Sequence, residues 1–132
     1  MDYIKINNRV WDVRVTALYR NFNILYTENT QRTLAVGALM HLDPLGAFHG
    51  HKIKFQRRGS NLQEFDELYN FLSTPRKTGI PVEIAFNQTT ISYNAYVSNG
   101  EQGLKRIDKV KNIVYWDEFE INIIPMEAQV IP

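Results

Sequence analysis

His49 and His51 stand two residues apart, so in an extended chain both rings point to one face, and His41 offers a third nitrogen that a zinc ion could use. Tetrahedral zinc needs three or four donors at a fixed spacing. The chain has no cysteine, and no carboxylate stands at a motif distance from these rings. The pair therefore reads as surface histidines on a strand bordered by Lys52 and Lys54, and no metal is expected. Carboxylates are more plentiful: Asp66 and Glu67 in one segment, Asp117, Glu118 and Glu120 in another. Acid-base pairs can be drawn from them. In a strand, however, Glu118 and Glu120 share a face with Trp116, opposite Asp117, Phe119 and Ile121, which suits a wet outer face or a subunit contact. No nucleophile elbow, P-loop or dinucleotide fingerprint is present, and the glycines are scattered as turn formers. No catalytic residue, cofactor or small-molecule substrate is expected, and a small hydrolase with an unrecognised carboxylate pair is kept only as an alternative.

Binding chemistry has two further candidates. Lys105, Arg106, Lys109 and Lys111 form a basic segment that, beside Lys52, Lys54, Arg57 and Arg58, would track phosphates if the strands adjoin. Lysines on a strand also protect an edge from unwanted pairing, and this is the preferred reading. Tyr19, Tyr26, Tyr93, Tyr96, Tyr115 and Trp116 could stack on bases or sugars, but such residues more often fill cores or protein interfaces. A nucleic-acid- or glycan-binding β-barrel module is the binding alternative.

The elements that must position these residues are legible in part. The 132 residues fit one domain, 1–132, with 44% hydrophobic and 22% charged residues and a formal net charge of +1. That charge gives no long-range preference for nucleic acid or anionic lipid. Without cysteine the fold rests on packing. The first residues lack a signal-peptide pattern, and no apolar run of about 18 residues suggests a membrane span, so a protein without membrane contact is expected.

Ile4 and Ile6 alternate with polar neighbours, and Asn7-Asn8 supplies a tight turn. Trp11, Val13, Val15 and Ala17 alternate with Asp12, Arg14 and Thr16, as in a half-buried strand. Residues 19–27 continue in extended form, or as a bend in a long strand, with Phe22, Ile24 and Tyr26 on one side. Residues 28–48 read as a long connection with an apolar middle and an Asp43-Pro44-Leu45-Gly46 turn. Long loops in small domains tend to be functional, and exposed apolar side chains ask for a cover. Leu34, Val36, Leu39, Met40, Leu42, Leu45 and Phe48 are accordingly the candidate oligomer interface. A strand starts at His51 and ends at Arg57-Arg58-Gly59. Ser60-Asn61-Leu62-Gln63 then matches a capping box with Ser60 as the cap. Leu62, Phe65, Leu68, Tyr69 and Leu72 make one helical stripe, and Pro75 forbids continuation. Strands are expected over 80–86 and 89–97 around an Asn87-Gln88 turn, then a loop over 98–103, and strands over 104–111 and 114–124. The fold class is mainly β, α+β: an antiparallel β-barrel or sandwich with one flanking helix and a long loop.

Several strings carry a resemblance: Ile6-Asn7-Asn8-Arg9-Val10-Trp11, Asn29-Thr30-Gln31-Arg32-Thr33-Leu34, Gly50-His51-Lys52-Ile53-Lys54-Phe55, Glu64-Phe65-Asp66-Glu67-Leu68-Tyr69 and Ala95-Tyr96-Val97-Ser98-Asn99-Gly100. Together they resemble small structural proteins from the tail modules of long-tailed bacteriophages and prophages of Gram-positive bacteria. The element order is similar to the tail-tube fold shared by tube subunits and the N-terminal domain of distal tail proteins. The resemblance implies a non-enzymatic virion subunit, made in the host bacterial cytoplasm, that forms hexameric rings with itself and meets other tail proteins. Nucleic acid would be met only as DNA passing through a tail lumen. Residues 28–48 would then be the loop that reaches a neighbouring subunit.

Overall fold

Alternating burial organises the strands around one apolar layer. In the computed structural model, residues 4–26, 31–32, 40–41, 44–127 and 129 are described, with backbone alone at 31–32 and 40–41. The elements in chain order are β1 (Ile4–Ile6), β2 (Val13–Tyr26), β3 (Gln31–Arg32), β4 (Met40–His41), β5 (Pro44–Arg57), α1 (Leu62–Leu72), β6 (Ile80–Phe86), β7 (Thr89–Asp108) and β8 (Ile113–Pro125). Six of them form an antiparallel sheet in the order β1-β6-β7-β8-β5-β2, while β3 and β4 pair only with each other. Ile53 and Phe55 of β5, Val82 and Ile84 of β6, and Phe119, Ile121 and Ile123 of β8 are buried on the inner face. Lys52, Lys54, Glu118 and Glu120 take the outer one, as the two-residue period requires.

The helix closes the inner face. Phe65, Leu68 and Leu72 are buried at three- and four-residue spacing, and the Phe65 and Tyr69 rings lie 5.3 and 5.5 Å from Phe119, which also meets Phe55 at 5.1 Å. Its start lies one residue later than the sequence suggests. Asn61, not Ser60, is the cap: its side-chain oxygen accepts from the Glu64 N–H at 3.2 Å, and its amide is held by Asp12 at 2.7 Å. Glu64 in turn accepts from Arg9 at 2.6 Å and from the Asp12 N–H at 3.0 Å, so the loop after β1 is tied to the helix start. Those hydrogen bonds, the Asp12 amide first and Arg9 next, hold the Glu64 carboxyl below its ordinary range.

The fold is mainly β with one flanking helix, as expected: the sheet is open, with β1 and β2 as its edges, and takes the sandwich form of the barrel-or-sandwich expectation. Although two strands separate β6 from β5, the end of β6 comes back against β5, where the His51 ring meets the Ala85 carbonyl and His49 packs 5.2 Å from Phe86. Pro44-Leu45-Gly46 belongs to β5 and is no turn, because β2 pairs with that strand along its whole length; proline is tolerated at the first strand position. Residues 98–103 are strand, not loop: β7 runs unbroken to Asp108 through register shifts at Val97/Asn99, Gln102/Leu104 and Leu104/Arg106, and such bulges bend a long strand without ending it. A fourth shift, between Val15 and Ala17, hands the inner face of β2 from Val13 to Leu18, leaving Val15 39% exposed.

Asn7, Asn8 and Asn87 adopt positive φ of 58°, 60° and 52° in the tight turns expected of them. Gly50 serves a close approach instead, since a Cβ there would stand 2.7 Å from the Ile123 carbonyl oxygen. Among the described residues, no helix is long and apolar enough to cross a membrane.

Phe119→Ala should cost about 3–5 kcal/mol, the range for emptying a large aromatic site, read as a fall in the urea midpoint with unchanged slope. Gly50→Ala should destabilise by roughly 1–3 kcal/mol, because the atom it meets is backbone and cannot rotate away. A neutral result at Gly50 would contradict the tight β5–β8 crossing.

Candidate assembly surface

The polar residues that suggested chemistry resolve first. His51 is not a surface histidine: it is 0% exposed, and both ring nitrogens are engaged, Nδ1 with the Tyr93 hydroxyl at 2.7 Å and Nε2 with the Ala85 carbonyl at 3.3 Å. Since a carbonyl only accepts, Nε2 carries the proton and Nδ1 accepts from Tyr93. The two rings also stack, with 12° between their planes. Burial pushes the His51 pKa below its ordinary 6.5, partly offset by the Ala85 hydrogen bond, and burial raises that of Tyr93. This is a neutral, satisfied pair inside the fold, with no nitrogen left for a metal. His49 shares the face as expected, half-buried between Phe22 and Phe86, whereas the side chain of His41 lies outside the described residues.

The carboxylates are spread over different surfaces. Glu120 pairs with Lys52 at 2.7 Å and Lys54 at 3.7 Å, and the Lys52 hydrogen bond holds its pKa down. Glu118 accepts from Thr16 at 2.8 Å. Asp66 and Glu67 sit exposed on α1, and burial of part of Asp66 raises its pKa. The basic residues are divided too: Lys52 and Lys54 are matched by Glu120, and Arg58 lies 3.5 Å from Asp12. Arg57 and Arg106 both lie over Tyr115, at 4.7 and 4.3 Å.

What stands out is apolar and lies on two ribbons. β5 and β8 pair only over His51–Phe55 and Phe119–Ile123. Beyond Ile123, β2 and β5 continue together as far as Tyr26 and Pro44; beyond Phe55, β7 and β8 continue together to Asp108 and Ile113. Because β5 and β8 are antiparallel, these two-stranded ribbons leave opposite ends of the sheet. The first exposes Phe22 (70%), Ile24, Leu25, Tyr26 and Leu45 (57%). The second exposes Leu104, Ile107, Val110 (96%), Val114 and Trp116. A ribbon of two strands has no second layer to shelter apolar residues, and isolated ones are marginal in water.

Of the seven interface residues expected from sequence, Leu45 and Phe48 fall on the first ribbon, Leu45 exposed and Phe48 half-buried. Met40 is placed only by its backbone, opposite Arg32. Leu34, Val36, Leu39 and Leu42 lie outside the described residues. Phe22, Leu25, Leu104, Ile107 and Val110 were not expected at an interface. The available signal was an excess of apolar residues on strands that α1, with its 11 residues, is too short to cover. Comparison with protein-family models, with curated proteins and with solved structures finds no match to this chain.

The His51 shift gives a pH test with a definite sign. A folded-state pKa below that of the unfolded chain means the unfolded chain binds the proton first, so stability is complete above about pH 6.5 and falls as pH drops below it. Urea midpoints at pH 7.5 and pH 5.2 should show this loss, and His51→Gln should flatten the pH dependence. An equal dependence in both proteins would contradict the buried neutral pair.

Proposed function

We propose that this chain is a non-enzymatic structural subunit of the tail of a long-tailed phage or prophage, of tail-tube or distal-tail type, that acts by assembling with copies of itself into a ring. The observation that carries the reading is the pair of exposed apolar ribbons at opposite ends of one sheet. Unlike surfaces that meet head to tail generate a closed ring or an open filament, whereas a two-fold dimer needs one surface that fits itself. The mainly β fold with one flanking helix agrees with the sequence resemblance, and the resemblance supplies the hexamer, the virion location, the other tail proteins as partners and the DNA in the lumen.

A second reading has one observation in its favour. Arg57, Tyr115 and Arg106 stack at the base of the second ribbon, a combination that single-stranded nucleic acid uses. Salt-dependent binding of a single-stranded oligonucleotide by the monomer, lost in Arg106→Ala, would favour it.

Assembly is tested by charge placed on one ribbon. Negative-stain microscopy of the concentrated wild-type chain should show rings or stacked rings. Phe22→Asp should abolish them and raise the half-association concentration at least tenfold, about 1.4 kcal/mol, while the thermal midpoint moves by only a few degrees because Phe22 is mostly exposed. Rings unaffected by Phe22→Asp would remove the first ribbon from the interface.

A further inference from the structure

β5 has two edges, and they are treated differently. β2 covers one from Pro44 to Arg57, whereas β8 covers the other only from His51 to Phe55. Along residues 44–50 the second edge meets no described strand of the sheet, and an unpaired edge is a template for another chain. Among the described residues, Gln129 meets it. Gln129 accepts from the His49 N–H through Oε1 at 2.8 Å, donates through Nε2 to the His49 carbonyl at 3.1 Å, and donates its own N–H to the Ala47 carbonyl at 3.1 Å.

The side-chain amide thus stands in for the peptide group of a missing neighbour. The local sequence explains why β8 does not do this itself. Its pairing with β5 stops at Ile123, Pro125 has no N–H to give, and the next N–H, that of Met126, turns the other way to the Asn94 carbonyl on β7 at 2.9 Å. The chain leaves the lane beside β5 and, among the described residues, meets it again at Gln129.

We infer that Gln129 is a displaceable strap, holding closed a strand lane along residues 44–50 of β5 that takes an extended segment of a second copy once the strap leaves. The inference rests on the self-assembly reading and adds a step to it. The lane belongs to the ribbon that exposes Leu25 and Leu45, so a strand added there extends the apolar surface already described. The exchange is also favourable in kind, because a strand along 44–50 offers a continuous ladder while the strap offers three hydrogen bonds.

The test uses the full chain with Gln129→Ala and Gln129→Glu, the second retaining the acceptor for the His49 N–H but not the donor for its carbonyl. Amide exchange in dilute protein and sedimentation across a concentration series are the readouts. Gln129→Ala should speed exchange at His49 at least tenfold and lower the half-association concentration at least fivefold, with Gln129→Glu between it and wild type. If wild type associates and Gln129→Ala leaves association unchanged or weakens it, the strap is overturned and the assembly reading stands. Absence of association in all three chains overturns the assembly reading and this inference with it.

Discussion

A short ladder between β5 and β8 governs this molecule. Five residues of each strand, His51–Phe55 and Phe119–Ile123, join what are otherwise two long ribbons, and the buried side chains of that stretch are also the ones α1 packs on. The junction sets the register. A slip of one residue would carry Ile53, Phe55, Phe119 and Ile121 to the wet face and bring Lys52, Lys54 and Glu120 inward. The antiparallel register across this junction also sends the two ribbons in opposite directions. Phe119, touched by Phe55, Phe65 and Tyr69, is where sheet and helix become one core.

The same junction explains why a buried polar pair is tolerated. His51 lies at its edge, where the end of β6 comes back against β5, and the ring bridges those strands through Ala85 while Tyr93 of β7 satisfies the other nitrogen. A hydrophobic residue would fill the volume, but the imidazole also pairs a carbonyl at the point where the sheet bends over itself. From there outward, shelter declines. The ribbons carry apolar side chains past the reach of the helix, and the proposed function begins where the core ends.

The sequence made the helix legible because Phe65, Leu68 and Leu72 hold one stripe and Pro75 ends it. β6, the first half of β7 and β8 were legible because they alternate. The start of β5 was hidden, since Pro44-Leu45-Gly46-Ala47-Phe48 has no alternation and becomes strand only by pairing with β2. Ser98-Asn99-Gly100 has the composition of a loop, and only the ladder with β8 draws it into a bulged strand. Burial of His51 depends on Tyr93, 42 positions away, which no local spacing reveals. Of the residues expected at an interface, Leu45 and Phe48 lie on the first ribbon, but the sequence could not show that Phe22 and Leu104 emerge on ribbons, because that follows from how little of β5 and β8 overlap.

A lone copy leaves Phe22, Leu45, Leu104 and Val110 exposed on its ribbons, and in the proposed assembly other copies cover them. Sedimentation velocity of the purified wild-type chain over a hundredfold range of concentration measures this directly. Mass should move from the 15.4 kDa monomer to one discrete ring-sized species as concentration rises. A single monomeric boundary at every concentration, with Phe22 and Leu104 as accessible to labelling after cysteine substitution at the highest as at the lowest, would contradict it.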